Sequence, residues 1–230
     1  MAPYDYLPPP PRRTELAPSV AIELSWLVTS CTGPTSLLDV PSDLAARAET
    51  FWEDGQGLMI EMLVVAQQLG CLTGWSADPL FDLARAPIRV PAELALETES
   101  EEDQRLTLAR VERLARDGGV RKRYSKLLRD LWALADPSWT QLGRPTVERA
   151  LTRLQASLDH GLSAVDLIPE RHIAQMPRFS EMTHAAVRDN TLLVTPSYFA
   201  GSHGHVVALP GVLSVAIGAD VTIDMARRRT

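Results

Sequence analysis

The feature that most constrains this chain is the segment at residues 57–69, GLMIEMLVVAQQL, which is apolar on almost every face. A helix of that kind has no side to give to water, so neighbouring elements must enclose it and it belongs in the middle of a domain. From Leu58 to Leu69 it is too short to cross a bilayer, and it carries Glu61. Gly70 follows as a C-terminal cap.

The flanking sequence supplies helices to do the enclosing. From Ser19 the spacing of Val20, Ile22, Leu24, Leu27 and Val28, with Trp26 among them, predicts a helix that stops at the Thr-Gly-Pro of residues 32–34. Ser42 reads as the N-cap of the next helix, which contains Ala45, Ala46 and Glu49 and ends near Phe51 and Trp52. Pro79, Pro87 and Pro91 break residues 78–99 into short helices and turns. The acidic run at 97–103 complements the N-terminal dipole of a helix over 104–116, and Gly118–Gly119 breaks that helix. Val120, Tyr124, Leu127, Leu128, Leu131 and Ala135 then mark one amphipathic helix; Val147, Leu151, Leu154 and Leu158 mark another.

At residue 191 the period changes. TLLVT (191–195), HVVAL (205–209) and VLSVAI (212–217) are short β-rich runs separated by Pro-Ser, Gly-rich and Pro-Gly turns. The fold class is therefore α+β: mainly helical for the N-terminal two-thirds, with a small antiparallel sheet at the C-terminus. Residues 1–16, with the extended prolines Pro8 to Pro11, read as a flexible, exposed arm. Residues 17–225 read as a single domain ending in a β-hairpin or meander at about 190–225, and residues 226–230 as a basic tail.

Charge narrows the function. With 23 Lys and Arg against 29 Asp and Glu, the chain carries a net −6 and has no cationic surplus to neutralise phosphates. The GQG at residues 55–57 stands where a helix-turn-helix would turn, but the helix after it offers no Lys or Arg to reach bases. Direct nucleic-acid binding by this chain is not expected. Arg121, Lys122, Arg123 and Lys126 read as the solvated side of their helix. No secretory signal or membrane span is apparent, and Cys31 and Cys71 lack CxxC or CxC spacing, so a cytoplasmic protein with two reduced thiols is expected.

Chemical signatures are sparse. His203 and His205 stand at i, i+2, but four metal ligands at workable spacing are missing, so a hairpin turn is expected there and no metal or cofactor. Ser202 beside these His lacks a visible orienting group or oxyanion site. Glu53, Asp54 and Glu61 read as caps and solubilising charges, and there is no Walker loop, GxGxxG or GxSxG. Trp26, Trp52, Met59, Met62 and Trp75 concentrate in the N-terminal third. Large aromatics with adaptable Met can line an apolar cavity, and these five are the expected ligand-binding residues.

The stretch APSVAIELSWLV at residues 17–28 resembles the opening of the sensory domain of actinobacterial ArsR-type winged-helix regulators. LLVTPSYFAGSHGHVVALPGVLSVAIGAD at 192–220 is similar to that domain's closing strands, and the sequence stops at ARRRT, about where the winged helix would begin. The resemblance implies a module that responds to a small organic ligand and is coupled to a DNA-binding partner or domain. The Cys-rich metal site of other ArsR members has no match here. Taken together, the expectation is a small-molecule sensor without enzymatic activity. The alternatives are an enzyme using acidic or His groups near the same cavity, and a protein-interaction scaffold.

Overall fold

The computed structural model describes residues 13–32, 39–51, 60–91, 101–162, 165–168, 191–201 and 203–219. The chain is α+β, and its described residues form two compact units where one domain was expected. Those of Pro18–Ala92 and Glu101–Pro145 make a helical unit; those of Met1–Ala17 and Thr146–Thr230 combine a helix with a sheet.

The helical unit contains α1 (Val20–Thr32), α2 (Ser42–Glu49), α3 (Ile60–Gln68), the short α4 (Asp78–Phe81), α5 (Glu101–Arg116) and α6 (Gly118–Ser138). Helix α1 is capped by Ser19, whose Oγ accepts from the Ile22 N–H at 3.0 Å and donates to the Leu72 carbonyl. Ser42 is the first residue of α2 and not its cap: Pro41 holds that position, its carbonyl accepting from the Leu44 and Ala45 N–H groups. Helix α3 has the expected character. Its residues Ile60 through Ala66 are all buried, and it ends in a Schellman turn. There the Cys71 N–H reaches the Ala66 carbonyl and the Gly70 N–H that of Gln67, with Gly70 at φ +69°. Gly118–Gly119 does not leave a gap. Asp117 caps α6 by accepting from the Gly119 and Val120 N–H groups, so the glycines form the first turn of that helix. Those bonds hold the exposed Asp117 carboxyl below its ordinary range.

After α6 a π turn, Trp139–Gly143, leads into α7 (Arg144–Asp159). From Thr146 onward α7 belongs to the second unit, whose sheet comprises β1 (Arg13–Leu16), β2 (Thr191–Ser197), β3 (Gly204–Leu209) and β4 (Val212–Gly218) in the order β1-β2-β4-β3. The sheet is mixed, not wholly antiparallel: β1 runs parallel to β2 and β2 to β4, and only β3–β4 is an antiparallel pair. The physical reason lies in the connections. Pro210–Gly211, with Gly211 at φ +73°, closes a tight hairpin, whereas Gly201 and His203, between β2 and β3, lie over the end of β4, and β3 falls beyond it. The close approach needs a glycine, because a Cβ on Gly218 would stand 1.9 Å from the Gly201 carbonyl oxygen. Residues 13–16 of the expected arm form β1, with Glu15 and Leu16 in register with Leu193 and Val194. The rest of the arm and the basic tail lie outside the described residues.

One face of the sheet carries Leu192, Val194, Leu213, Val215 and Ile217 against Leu154 of α7 and Leu167 and Ile168. The strands alternate, so the opposite face carries Leu193, Thr195, Ser214, Ala216, His205 and Val207, and all of these are buried as well.

Candidate functional site

Burying seven consecutive residues of α3 forces Glu61 into the apolar interior of the helical unit, where it is 1% exposed. A carboxylate in that position requires charged or hydrogen-bonding partners. Two helices supply them. Tyr124, on the buried side of α6, directs its hydroxyl at Glu61 Oε1 from 3.4 Å. Arg110 of α5 places Nη1 3.8 Å from Oε2. Burial first, then the Glu61 charge and hydrogen bond, hold the Tyr124 phenol well above its ordinary range, so it stays protonated and donates. Phe51 meets the Tyr124 ring edge to face with centroids 5.4 Å apart, and Thr107 lies buried one turn before Arg110. Glu61 thus stands in the first turn of α3, as a helix-end charge would, but it is buried and not the solubilising charge expected from sequence. These two contacts are longer than the 2.7–2.9 Å typical of charge-assisted hydrogen bonds.

The residues expected to bind ligand are distributed as follows. Met62, next to Glu61 on α3, is fully buried, and Trp26 is half-buried on α1. Trp52 and Met59 lie outside the described residues, as do Glu53, Asp54 and the GQG turn. Trp75, in the connection after α3, stacks at a tilt 6.3 Å from Trp139, with the Arg144 guanidinium 5.0 Å from its ring centroid. Trp139 in turn lies 5.8 Å from Trp132, so Trp75 belongs to an aromatic group at the junction of α6 and the π turn.

The other polar features separate. His203 is exposed in the turn before β3, while His205 is 6% exposed on β3, so the i, i+2 pair does not share an environment. Burial depresses the His205 imidazole to about 4. Thr195 Oγ1 and Ser214 Oγ, buried on the same sheet face, have no hydrogen-bond partner among the described residues. Ser202 is outside the described residues. Among the described residues no three His, Cys, Asp or Glu side chains converge as a metal site would require.

In the basic cluster, Lys122, Arg123 and Lys126 are exposed, Lys126 pairing with Asp130 at 3.1 Å. Arg121 instead ties two helices together, its Nη1 donating to the Leu114 and Ala115 carbonyls at the end of α5. Burial pushes the Cys71 thiol up to about 11; the side chain of Cys31 is outside the described residues. No helix of the described residues is long and apolar enough to cross a membrane.

Sequence reasoning passed over Tyr124 and Arg110 as site residues. Tyr124 occupies an apolar position in the stripe of α6, and nothing distinguishes Arg110 from the other arginines of α5. The signal that could have found them was Glu61 itself, a lone charge inside an apolar run. No family model, curated protein or solved structure matches this chain.

Proposed function

We propose that this chain is a small-molecule sensing module whose helical unit receives a mainly apolar organic ligand, without catalysing a reaction. In this reading it acts with a DNA-binding partner or domain, as in the ArsR-type regulators that residues 17–28 and 192–220 resemble. The observation that carries the proposal is the placement of Glu61. A carboxylate at 1% exposure, approached at 3.4 and 3.8 Å, is a fixed polar group inside a largely apolar bundle that also buries Glu23 on α1. Ligand sites in proteins pair an apolar lining with a few fixed polar groups; here Tyr124, with Phe51 packed on its ring, brings aromatic surface to Glu61, and the buried Met62 follows it on α3.

The test is a screen of the purified full chain against organic molecules of graded size and charge, read by tryptophan fluorescence and by native mass spectrometry. Saturable binding that weakens on Glu61→Gln or Met62→Ala is expected. Absence of saturable binding across the set would remove the sensor reading.

A further inference from the structure

We propose that the outer edge of β3 is an interface at which two copies of this chain pair, antiparallel and about a two-fold axis, joining the four strands of each into one continuous sheet. The parity of the β3–β4 hairpin fixes which backbone groups that edge offers. The His203 carbonyl accepts from the Gly218 N–H at 3.0 Å, and the two-residue loop Pro210–Gly211 makes Leu209 and Val212 a hydrogen-bonded pair. The odd-numbered residues of β3 therefore bond β4, while the N–H and C=O groups of Gly204, Val206 and Ala208 point away from it. β3 is the last strand in the order β1-β2-β4-β3, and among the described residues nothing hydrogen-bonds those outward groups. All three residues are partly exposed, as backbone without a partner must be.

The two edges of the sheet differ in how they are guarded. β1 has four residues, follows the prolines at 8–11 and carries Arg13 and Glu15, a charged pair 3.9 Å apart with the Arg13 side chain 75% exposed. Short length, proline and charge are the usual protections of an open edge against another strand. β3 has six residues, GHVVAL, with no Lys, Arg, Asp, Glu or Pro among them. An unguarded edge of that length is a template for strand addition. A second copy fits it because the strand is complementary to itself. An antiparallel two-fold centred on Val206 sets that residue opposite its own counterpart and Gly204 opposite the partner's Ala208, so each outward N–H meets an outward C=O. His205 then faces the partner's Val207, and no like charges oppose one another across the axis. Val206 and Ala208 already pack on the apolar cluster of the sheet, so pairing extends that cluster from one copy to the next. Assembly stops at two copies, since the edges left outside are both the charged β1.

The experiment follows the full chain by sedimentation velocity at concentrations from about 1 µM to about 100 µM. The native protein is expected to reach twice the 25.3 kDa of one copy within that range. Ala208→Pro removes an outward N–H and breaks no bond to β4, so the hairpin should survive while pairing weakens at least about tenfold. Val206→Lys opposes two like charges across the axis and should weaken pairing at least about tenfold as well, whereas the equally shaped Val206→Thr should leave it within about threefold of native. Circular dichroism shows which variants fold, and the contrast of lysine with threonine decides the matter if the proline variant does not. Amide hydrogen exchange gives an independent reading. The amides of Gly204, Val206 and Ala208 should gain protection as concentration rises, while those of His205, Val207 and Leu209, bonded to β4 throughout, should not. A native chain that stays monomeric at about 100 µM overturns the proposal. So does a pair equally tight in the folded Ala208→Pro and Val206→Lys variants, exchange that is unchanged by concentration at the three outward amides, or growth beyond two copies.

Discussion

His205 gives the sharpest test of the packing. It sits on β3 opposite Ala216 at 6% exposure, and burial depresses its imidazole from 6.5 to about 4. At about 1.4 kcal/mol per tenfold change in proton affinity, that depression corresponds to about 3 kcal/mol. The folded chain takes the proton only near pH 4, whereas the unfolded chain takes it near 6.5. Between those values the unfolded state binds more protons, so acid favours unfolding. Stability from this residue is complete above about pH 6.5, declines as pH falls, and is fully lost below about pH 4.

The perturbation is His205→Leu, which keeps comparable volume and removes the titration. Urea unfolding at about pH 7, 6, 5 and 4.5 for both proteins, compared as a difference, cancels the carboxylates they share. The native chain should lose up to about 1.4 kcal/mol per pH unit more than the variant across this window. An imidazole proton titration by NMR on the folded chain should show one histidine still neutral at about pH 5. Parallel stability curves, or a His205 that titrates near its ordinary value while the sheet stays folded, would refute the buried placement.

Three further outcomes are expected. Gly218→Ala should lower stability by at least about 2 kcal/mol, because its Cβ has no room beneath Gly201, while Gly70→Ala, with open space but φ +69°, should lose about 1 kcal/mol; equal thermal shifts for the two would contradict the arch over β4. Met62→Ala should lose about 2–5 kcal/mol in urea unfolding, and a loss below about 1 kcal/mol would mean α3 is not enclosed at that side. The Cys71 thiol, at about 11, should react with iodoacetamide at mildly alkaline pH far more slowly in the folded than in the unfolded protein, followed by mass spectrometry; equal rates would place it at the surface.

Much of the fold was legible because periodicity and burial agree. The run 57–69 announced an enclosed helix, and Ile60 through Ala66 are enclosed; the β-rich runs at 191–195, 205–209 and 212–217 fall within β2, β3 and β4. The sheet's order was not legible, for a reason of principle. Turn residues report how sharply the chain reverses, not which strand it returns to. Pro210–Gly211 fixes a two-residue hairpin, but the stretch around Gly201 is compatible with a hairpin or an arch, and only the register of Gly204 with Ile217 decides for the arch. Likewise Arg13 to Leu16 follow a proline run and lack the alternation of a half-buried strand. Their strand state comes from pairing with residues 191–194, a contact that no local pattern encodes.

The candidate site shows the same division between what a residue needs and who supplies it. Desolvation alone says that Glu61, inside an apolar helix, needs a cation and a donor, and that conclusion requires no tertiary structure. The choice of Tyr124 and Arg110 does require it, because Glu61 is far along the chain from both and the three side chains meet only when α3 packs against α5 and α6. Periodicity misleads here, since it counts Tyr124 as one more apolar stripe position although its hydroxyl is the polar tip that faces the carboxylate. Aromatic composition does not report which residues pack together. Trp75 and Met62 are near in sequence, yet Trp75 is engaged by Trp139 and Arg144. The residues that distinguish this interior from an ordinary core are therefore its charges, and Glu61 is one that an apolar helix carries inward.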